Sequence, residues 1–343
     1  METIIRVEEA IKAIKNGEMI IIMDDEDREN EGDLVMAGIF STPEKINFMA
    51  QEARGLICVS ITKEIAQSLD LPPMVSNNSS NHETAFTVSI DAKEAKTGIS
   101  AYERDLTINL MCKANANPND FVRPGHIFPL IAKEGGVLER TGHTEASVDI
   151  CRLAGLKPIS VICEIMKEDG MMAKRGDRFL SEFSTKHNLK ILYVSDLIQY
   201  RLKFEKLTTI ISQEEVEFFD TKATKIKIKD HLNQIHSIFK FGNPTQKPLV
   251  KFHTIKEDLE LLENTISFKG LMRSIEILKK EGGYLVFLKT KTSKDIKELG
   301  IGAQILKSFE IEDFRLLTTS NFDENECSML SGFNLKILER IEV

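Results

Sequence analysis

Four short apolar runs, residues 19–23, 55–61, 84–90 and 160–166, constrain this chain more than any other feature, because each has strand length and is flanked by polar or turn residues. Helical periodicity fills the intervals. Val7, Ala10, Ile11 and Ile14 share one face of a segment that Asn16-Gly17 ends, and residues 43–54, 99–113, 145–154 and 178–188 read as further helices. Strand and helix interleave without the regular period of a βα barrel. The pattern predicts a layered α/β (α+β) fold.

At 343 residues the chain is long for one hydrophobic core, which favours two domains. Past Phe204 the texture changes to KLTTIISQEEVEFFDTKATKIKIKD, richer in Lys and in alternating apolar residues. The boundary is placed there, giving domains 1–203 and 204–343. A net charge of −8 offers no broad basic surface, so nucleic acid is not an expected partner. No run approaches the roughly 20 apolar residues of a membrane span, and the N-terminus lacks a signal-peptide layout, so a cytoplasmic protein without a membrane partner is expected. Five scattered cysteines fit reduced thiols better than a disulfide framework.

The run 19–23 leads directly into DDEDRENEGD, residues 24–33, which holds seven acids and one Arg. An EF-hand reading starting at Asp27 fails, because its twelfth position is Gly38 where a bidentate Glu is needed, and a strand precedes where a helix should. Two readings remain open for the loop. It is either a solvated acidic turn or a site for a hard divalent cation, which takes carboxylate oxygens while keeping room for water and substrate.

A second stretch, GGVLERTGHTE at 135–145, ends a Gly-rich turn at the start of a helix. Thr144 is expected to cap that helix, whose N–H groups and positive dipole end suit a phosphate, with Arg140 adding forked donors. A plain turn with a capped helix fits equally. His143 could ligate a metal or bond within the turn. In RPGHIFP, residues 123–129, two prolines fix the chain around His126, which could carry a substrate proton. Glu164 shares a strand face with Ile162 and Met166, and is either a proton carrier or half of a buried ion pair.

Together DDEDRENEGDL, GLICVSIT, TAFTVSIDA, RPGHIFPL, GGVLERTGHTEASVD and VICEIMKEDGMMA resemble, in unbroken order over about the first 200 residues, the 3,4-dihydroxy-2-butanone 4-phosphate synthases of riboflavin biosynthesis. The resemblance implies a mixed sheet with surrounding helices, a homodimer with the site near the subunit interface, and ribulose 5-phosphate as substrate. It also implies two Mg2+ or Mn2+ ions held by Glu29 and His143. Arg28, Glu29, Asp33, Arg140, Thr141, Gly142, His143, Thr144 and Glu164 fall at substrate-binding positions, and His126 and Glu164 at the positions essential to catalysis. Glu31 and Cys58 also match active-site positions. Residues 98–107, GISAYERDLT, depart from the family's pattern but keep Ser100, Arg104 and Thr107, so Thr107 is carried as a phosphate contact.

From about Phe204 the chain resembles a degenerate GTP cyclohydrolase II domain, smaller and α+β, through KPLVKFHT, RSIEILKKEGGYLVFL, LGIGAQILKSFEIEDFRLLTTS and LSGFNLKILERIEV. That family holds zinc with three cysteines after the strand matching 249–253. Here no Cys lies between Cys163 and Cys327, and KTKTSKDI at 289–296 replaces the family's QEGRGIG. Without thiolates the tetrahedral site cannot form. No zinc and no cyclohydrolase activity are expected. The competing readings are an active zinc-free cyclohydrolase half, decided by turnover of GTP, and a silent binder of phosphorylated metabolites.

Overall fold

The computed structural model describes residues 2–26, 28–289, 296–319 and 335–343. Asp27, Cys327, most of KTKTSKDI and the start of LSGFNLKILERIEV, on which sequence readings rest, lie outside the described residues. The chain forms two compact units, Met1–Tyr200 and Arg201–Val343.

The first unit is built on one seven-stranded mixed sheet in the order β4-β5-β3-β6-β2-β1-β7. Its strands are β1 (Ile20–Met23), β2 (Gly32–Ala37), β3 (Cys58–Ile61), β4 (Ile90–Ala92), β5 (Phe121–Ile131), β6 (Ile159–Glu164) and β7 (Lys190–Tyr193). Only the β1–β7 and β3–β5 pairs are parallel. The middle strands read as continuous apolar runs because helices cover both faces. On one face α5 (His143–Leu153) lies over β6, β3, β2 and β1, with α1 (Glu2–Lys15) beside it. Helix α1 buries Val7, Ala10, Ala13 and Ile14, and the Ile14 side chain alone contributes about 1.5–3 kcal/mol. On the other face α2 (Pro43–Phe48), a π-helical turn over Met49–Ala53 and α4 (Ala101–Cys112) close a core that includes Met23, Leu34, Met36, Ile46, Met49 and Val161. Short helices α3 (Lys63–Ser68) and α6 (Arg178–Lys186) complete the unit.

Strand and helix readings hold in kind, with shifts at the ends. The largest is at 84–90, where only Ile90 enters a strand. Phe86 and Thr87 make isolated bridges to Leu130 and Pro73, and the β4–β5 ladder shifts register after Ile90. The alternation TAFTVSI has a strand period, but the sheet gives it no continuous neighbour.

Helix α7 (Val194–Phe204) contains the division between the units. The second unit is another seven-stranded mixed sheet, β14-β13-β11-β12-β10-β9-β8. A meander of β8 (Thr208–Phe218), β9 (Thr221–Asp230) and β10 (Ile235–Phe241) leads to a part with parallel β11–β12, β11–β13 and β13–β14 pairs: β11 (Leu249–Thr254), β12 (Gly283–Leu288), β13 (Asp313–Thr318) and β14 (Lys336–Glu342). Between these strands come α8 (Asp258–Glu263), α9 (Thr265–Glu281) and α10 (Ile296–Lys307). Asn264 caps α9 by accepting from the Ser267 N–H, and the helix buries Leu271, Ile275 and Leu278 against Phe239, Phe241 and Leu285.

Candidate active site

The acidic loop joins two antiparallel strands, β1 and β2, in which Met23 opposes Gly32. Strand β6 runs antiparallel to β2 and places Glu164 directly opposite Asp33. The C-terminal ends of β1 and β6, the start of β2 and the N-terminus of α5 therefore meet at one end of the sheet. Part of a loop that looks like solvated surface in the sequence is folded inward here: Asp24 and Asp33 are buried, while Glu26 stays exposed.

Asp24, fully buried, organises that loop. Its Oδ1 accepts the Glu31 N–H at 2.8 Å, while its Oδ2 accepts Arg28 Nη1 at 2.7 Å and the Glu29 N–H at 3.1 Å. Arg28 Nη1 also reaches Glu29 Oε2 at 2.7 Å, so one guanidinium bridges two carboxylates. His143 enters from the first turn of α5, with Nε2 3.1 Å from the Glu31 carbonyl and Nδ1 3.6 Å from Glu29 Oε2 and 4.0 Å from Asp33 Oδ1. Ligating atoms of Asp24, Glu29 and His143 lie within 4.8 Å of one another.

Charge is concentrated at this point. Burial alone would push the Glu29 carboxyl up, but His143 and Arg28 together hold its pKa down at about 2. Burial likewise opposes a charged His143, yet Asp33, Glu29 and Asp24 raise its pKa to about 9. Asp33 lies well above the usual carboxylate range through burial, against the pull of His143 and with Glu164, Glu29 and Glu31 adding to the rise. Among the described residues Asp33 Oδ1 has no hydrogen-bond partner. Negative groups packed this closely, one of them with an orphaned buried oxygen, suit a hard divalent cation.

Glu164 is half-buried, and its Oε2 accepts the Leu56 N–H at 2.9 Å, which aims the carboxylate from the end of β6. Cys58 is buried at the start of β3, where burial and then the charges of Glu164 and Asp33 push its thiol up. It is a neutral wall of the site.

Three expectations for the neighbouring loops change. Thr144 does not cap α5: Gly142 is the N-cap, Thr144 is buried inside the first turn, and no side chain caps the end. Among the described residues the N-cap position offers no side-chain acceptor to the first N–H groups of the helix. Arg140 does not present a free fork, because Nη1 binds the buried Glu145 at 2.6 Å and Nε and Nη2 bind the His82 carbonyl at 3.2 and 2.9 Å. Gly142 has to be glycine for that ion pair to pass over it, since a Cβ there would lie 2.3 Å from Arg140 Nη1. Thr107 is wholly buried, donating to the Glu103 carbonyl and accepting from the Ala92 N–H, so its hydroxyl holds α4 to β4 and is withdrawn from any phosphate.

The fold gathers Arg28, Glu29, Glu31, Asp33, His143 and Glu164 at one place, with Thr141, Gly142 and Thr144 at the adjoining helix start. His126 stands apart on β5, and among the described residues no hydrogen bond or ion pair joins it to this cluster. Sequence reasoning missed Asp24 and also Asp91, which binds His126. For Asp24 the available signal is its position as the first residue after an apolar strand, where its backbone is fixed while its side chain turns back over the loop.

Known proteins agree with this architecture. The family model of 3,4-dihydroxy-2-butanone 4-phosphate synthase matches residues 8–200, and that of GTP cyclohydrolase II matches residues 269–342. The chain is 66% identical to the 3,4-dihydroxy-2-butanone 4-phosphate synthase of Helicobacter hepaticus, over 98% of this chain and 99% of that one. Among solved structures it is similar to RibBX, a two-domain 3,4-dihydroxy-2-butanone 4-phosphate synthase from A. baumannii, with TM-score 0.84, 38% identity and coverage of 98% of this chain and 99% of that one. It is also similar to a 3,4-dihydroxy-2-butanone 4-phosphate synthase in complex with two magnesium ions, with TM-score 0.54, 41% identity and coverage of 58% of this chain and 97% of that one.

Proposed function

The chain belongs to the 3,4-dihydroxy-2-butanone 4-phosphate synthase family of riboflavin biosynthesis, and from that premise we propose that it converts D-ribulose 5-phosphate to L-3,4-dihydroxy-2-butanone 4-phosphate and formate, using two divalent ions. The observation that carries the reading is the meeting of Glu29 and His143, 114 positions apart in the chain, beside the orphaned Asp33 oxygen. Glu29 and His143 would hold Mg2+ or Mn2+, with Asp24 as a third carboxylate within reach. Ions bound there would supply Lewis acidity at a substrate ketone and lock vicinal oxygens in one geometry.

The chain's own groups then divide the work. Arg28 offsets the loop's negative charge, Asp33 and Glu164 face each other where a substrate hydroxyl would lie, and the open N-terminus of α5, with Thr141, Gly142, Thr144 and the cationic Arg140 beside it, suits the substrate phosphate. Glu164 and His126 are the proton carriers in this scheme. A homodimer is supported by exposed apolar side chains on and beside α4, where Ile99 is 56% and Tyr102 72% exposed with Val122 nearby in the fold. Residues 1–203 form the synthase, and residues 204–343 a GTP cyclohydrolase II-like domain without that activity, since residues 204–343 contain a single Cys.

Formate release from ribulose 5-phosphate tests the reading. Turnover is expected to be abolished by EDTA, restored by Mg2+ or Mn2+, and lost in Glu29→Gln. Full turnover in EDTA would remove the metal assignment.

A further inference from the structure

We propose that Gly55 is a positioning residue for Glu164: a one-residue bulge at Gly55 turns the Leu56 N–H onto Glu164 Oε2 and so reserves Oε1 for proton exchange with substrate. The proposal rests on the reading of Glu164 as a proton carrier given above.

Strand register shows the bulge. The β3–β6 ladder pairs Cys58 with Ile162, so the same antiparallel register carried outward would set Leu56 against Glu164 and Gly55 against Ile165. The isolated bridge beyond the ladder instead joins Arg54 to Ile165, one residue out of step. The extra residue lies between Arg54 and Cys58, which is why the apolar run from Gly55 enters its strand only at Cys58. A bulge of this kind leaves a main-chain group unpaired and bends the strand locally. Here the Leu56 N–H goes to a side chain, donating to Glu164 Oε2 at 2.9 Å.

Both flanks of the bulge are pinned. Arg54 ends the π-helical turn over Met49–Ala53 in the left-handed region at φ +70°, its N–H donating to the Met49 carbonyl at 3.1 Å and its Nη1 to the Met166 carbonyl at 3.1 Å. The Met166 N–H in turn donates to the Ala53 carbonyl at 2.8 Å, and toward β2 the Ile165 N–H donates to the Gly32 carbonyl at 2.8 Å. Between these ties Gly55 lies directly against Glu164: a Cβ there would fall 2.3 Å from the Glu164 carbonyl oxygen, 2.7 Å from its nitrogen and 2.7 Å from Oε2. Two of those three atoms are backbone of a strand held on both sides, so a side chain at position 55 has to push the turn off Glu164 and take the Leu56 N–H with it. Only Oε2 is held in this way. Among the described residues no hydrogen bond or ion pair reaches Oε1, which makes one oxygen the fixed anchor and leaves the other to take up and return a proton.

Three measurements on the full-length, Mg2+-loaded protein decide the matter. In the unmodified protein the Leu56 amide, on a residue 45% exposed, should exchange with solvent about tenfold more slowly than in Glu164→Ala; equal exchange in the two would overturn the proposal without any change at Gly55. Gly55→Ala should lower kcat on the order of 10²-fold while KM for ribulose 5-phosphate and Mg2+ affinity move less than about threefold. A kcat within about threefold of wild type overturns the proposal. The double variant Gly55→Ala/Glu164→Gln should be no slower than Glu164→Gln alone, because the glycine acts only through that carboxylate; a further large loss would assign Gly55 a general structural role and overturn it. Glu164→Gln with wild-type turnover would instead remove the catalytic reading of Glu164, and with it the role of Oε1, while amide exchange still decides whether the bulge aims the carboxylate.

Discussion

Asp24 sets the position of Glu29 twice over: its Oδ2 accepts the Glu29 backbone N–H at 3.1 Å and also the Arg28 guanidinium that grips Glu29 Oε2. The proposed metal ligand is therefore placed by a buried carboxylate five residues earlier in the chain. In Asp24→Asn one oxygen becomes an N–H donor, so either the Glu31 N–H at Oδ1 or the pair of contacts at Oδ2 loses its acceptor. Such outer contacts typically govern affinity by about 10–100-fold. Mg2+ binding measured by titration calorimetry should weaken by that factor with the far-ultraviolet dichroism unchanged. An unaltered affinity would make Asp24 a bystander.

The metal-free protein should lose stability as pH rises. His143 binds its proton more tightly folded, at about 9, than at its ordinary 6.5, so its contribution is complete below pH 6.5 and disappears as pH passes 9. Asp33, also raised, acts in the same sense from its ordinary 3.8 upward. Glu29, held near 2, stays ionised throughout this window. Thermal melts in EDTA should show Tm falling between pH 6.5 and 9, and the added stability conferred by Mg2+ growing over the same interval, because the ion competes with the His143 proton. A Tm in EDTA that rises over that interval would contradict the electrostatic description.

Much of this site was legible in the sequence, and what was not has a common cause. Glu29, His143 and Glu164 stand in local patterns whose spacing survives folding. Asp24 and Asp91 work by accepting backbone N–H groups, and which amides approach a carboxylate depends on loop closure and strand pairing, which one sequence does not display. Thr144 misled for a related reason. Ser and Thr at a helix start are good caps in general, but α5 begins earlier, at His143, because Gly142 accommodates the Arg140–Glu145 pair that a side chain would obstruct. In the same way strand period alone overstated residues 84–90, where the neighbouring strand is absent for most of the run.

Gly142→Ala should disturb the substrate end of the site without touching a ligand. The new Cβ would lie 2.3 Å from Arg140 Nη1 and 2.9 Å from Glu145 Oε2. Glu145 is buried and keeps the Lys133 N–H at 3.1 Å as a second partner, so the loss should stay at about 1–3 kcal/mol. A lowered Tm, with KM for ribulose 5-phosphate raised more than kcat is lowered, is expected. Unchanged KM would separate the Arg140 turn from phosphate binding.

The second unit should neither hold zinc nor open GTP. A structural or catalytic zinc of the thiolate type needs several sulfur ligands at tetrahedral positions, and from residue 204 onward the sequence contains one cysteine, Cys327. At the end of β11, where the family's thiolates would begin, the chain carries Phe252, His253 and Thr254, and burial with the nearby Lys251 and Lys256 lowers the His253 pKa to about 4. A neutral imidazole remains a possible ligand on its own, but it lacks the anionic sulfurs that bind zinc tightly. Purified protein should contain far less than one equivalent of zinc by elemental analysis, and incubation with GTP should release neither formate nor pyrophosphate while ribulose 5-phosphate is consumed. Stoichiometric zinc, or formate from GTP that survives Glu29→Gln, would return the cyclohydrolase reaction to this chain.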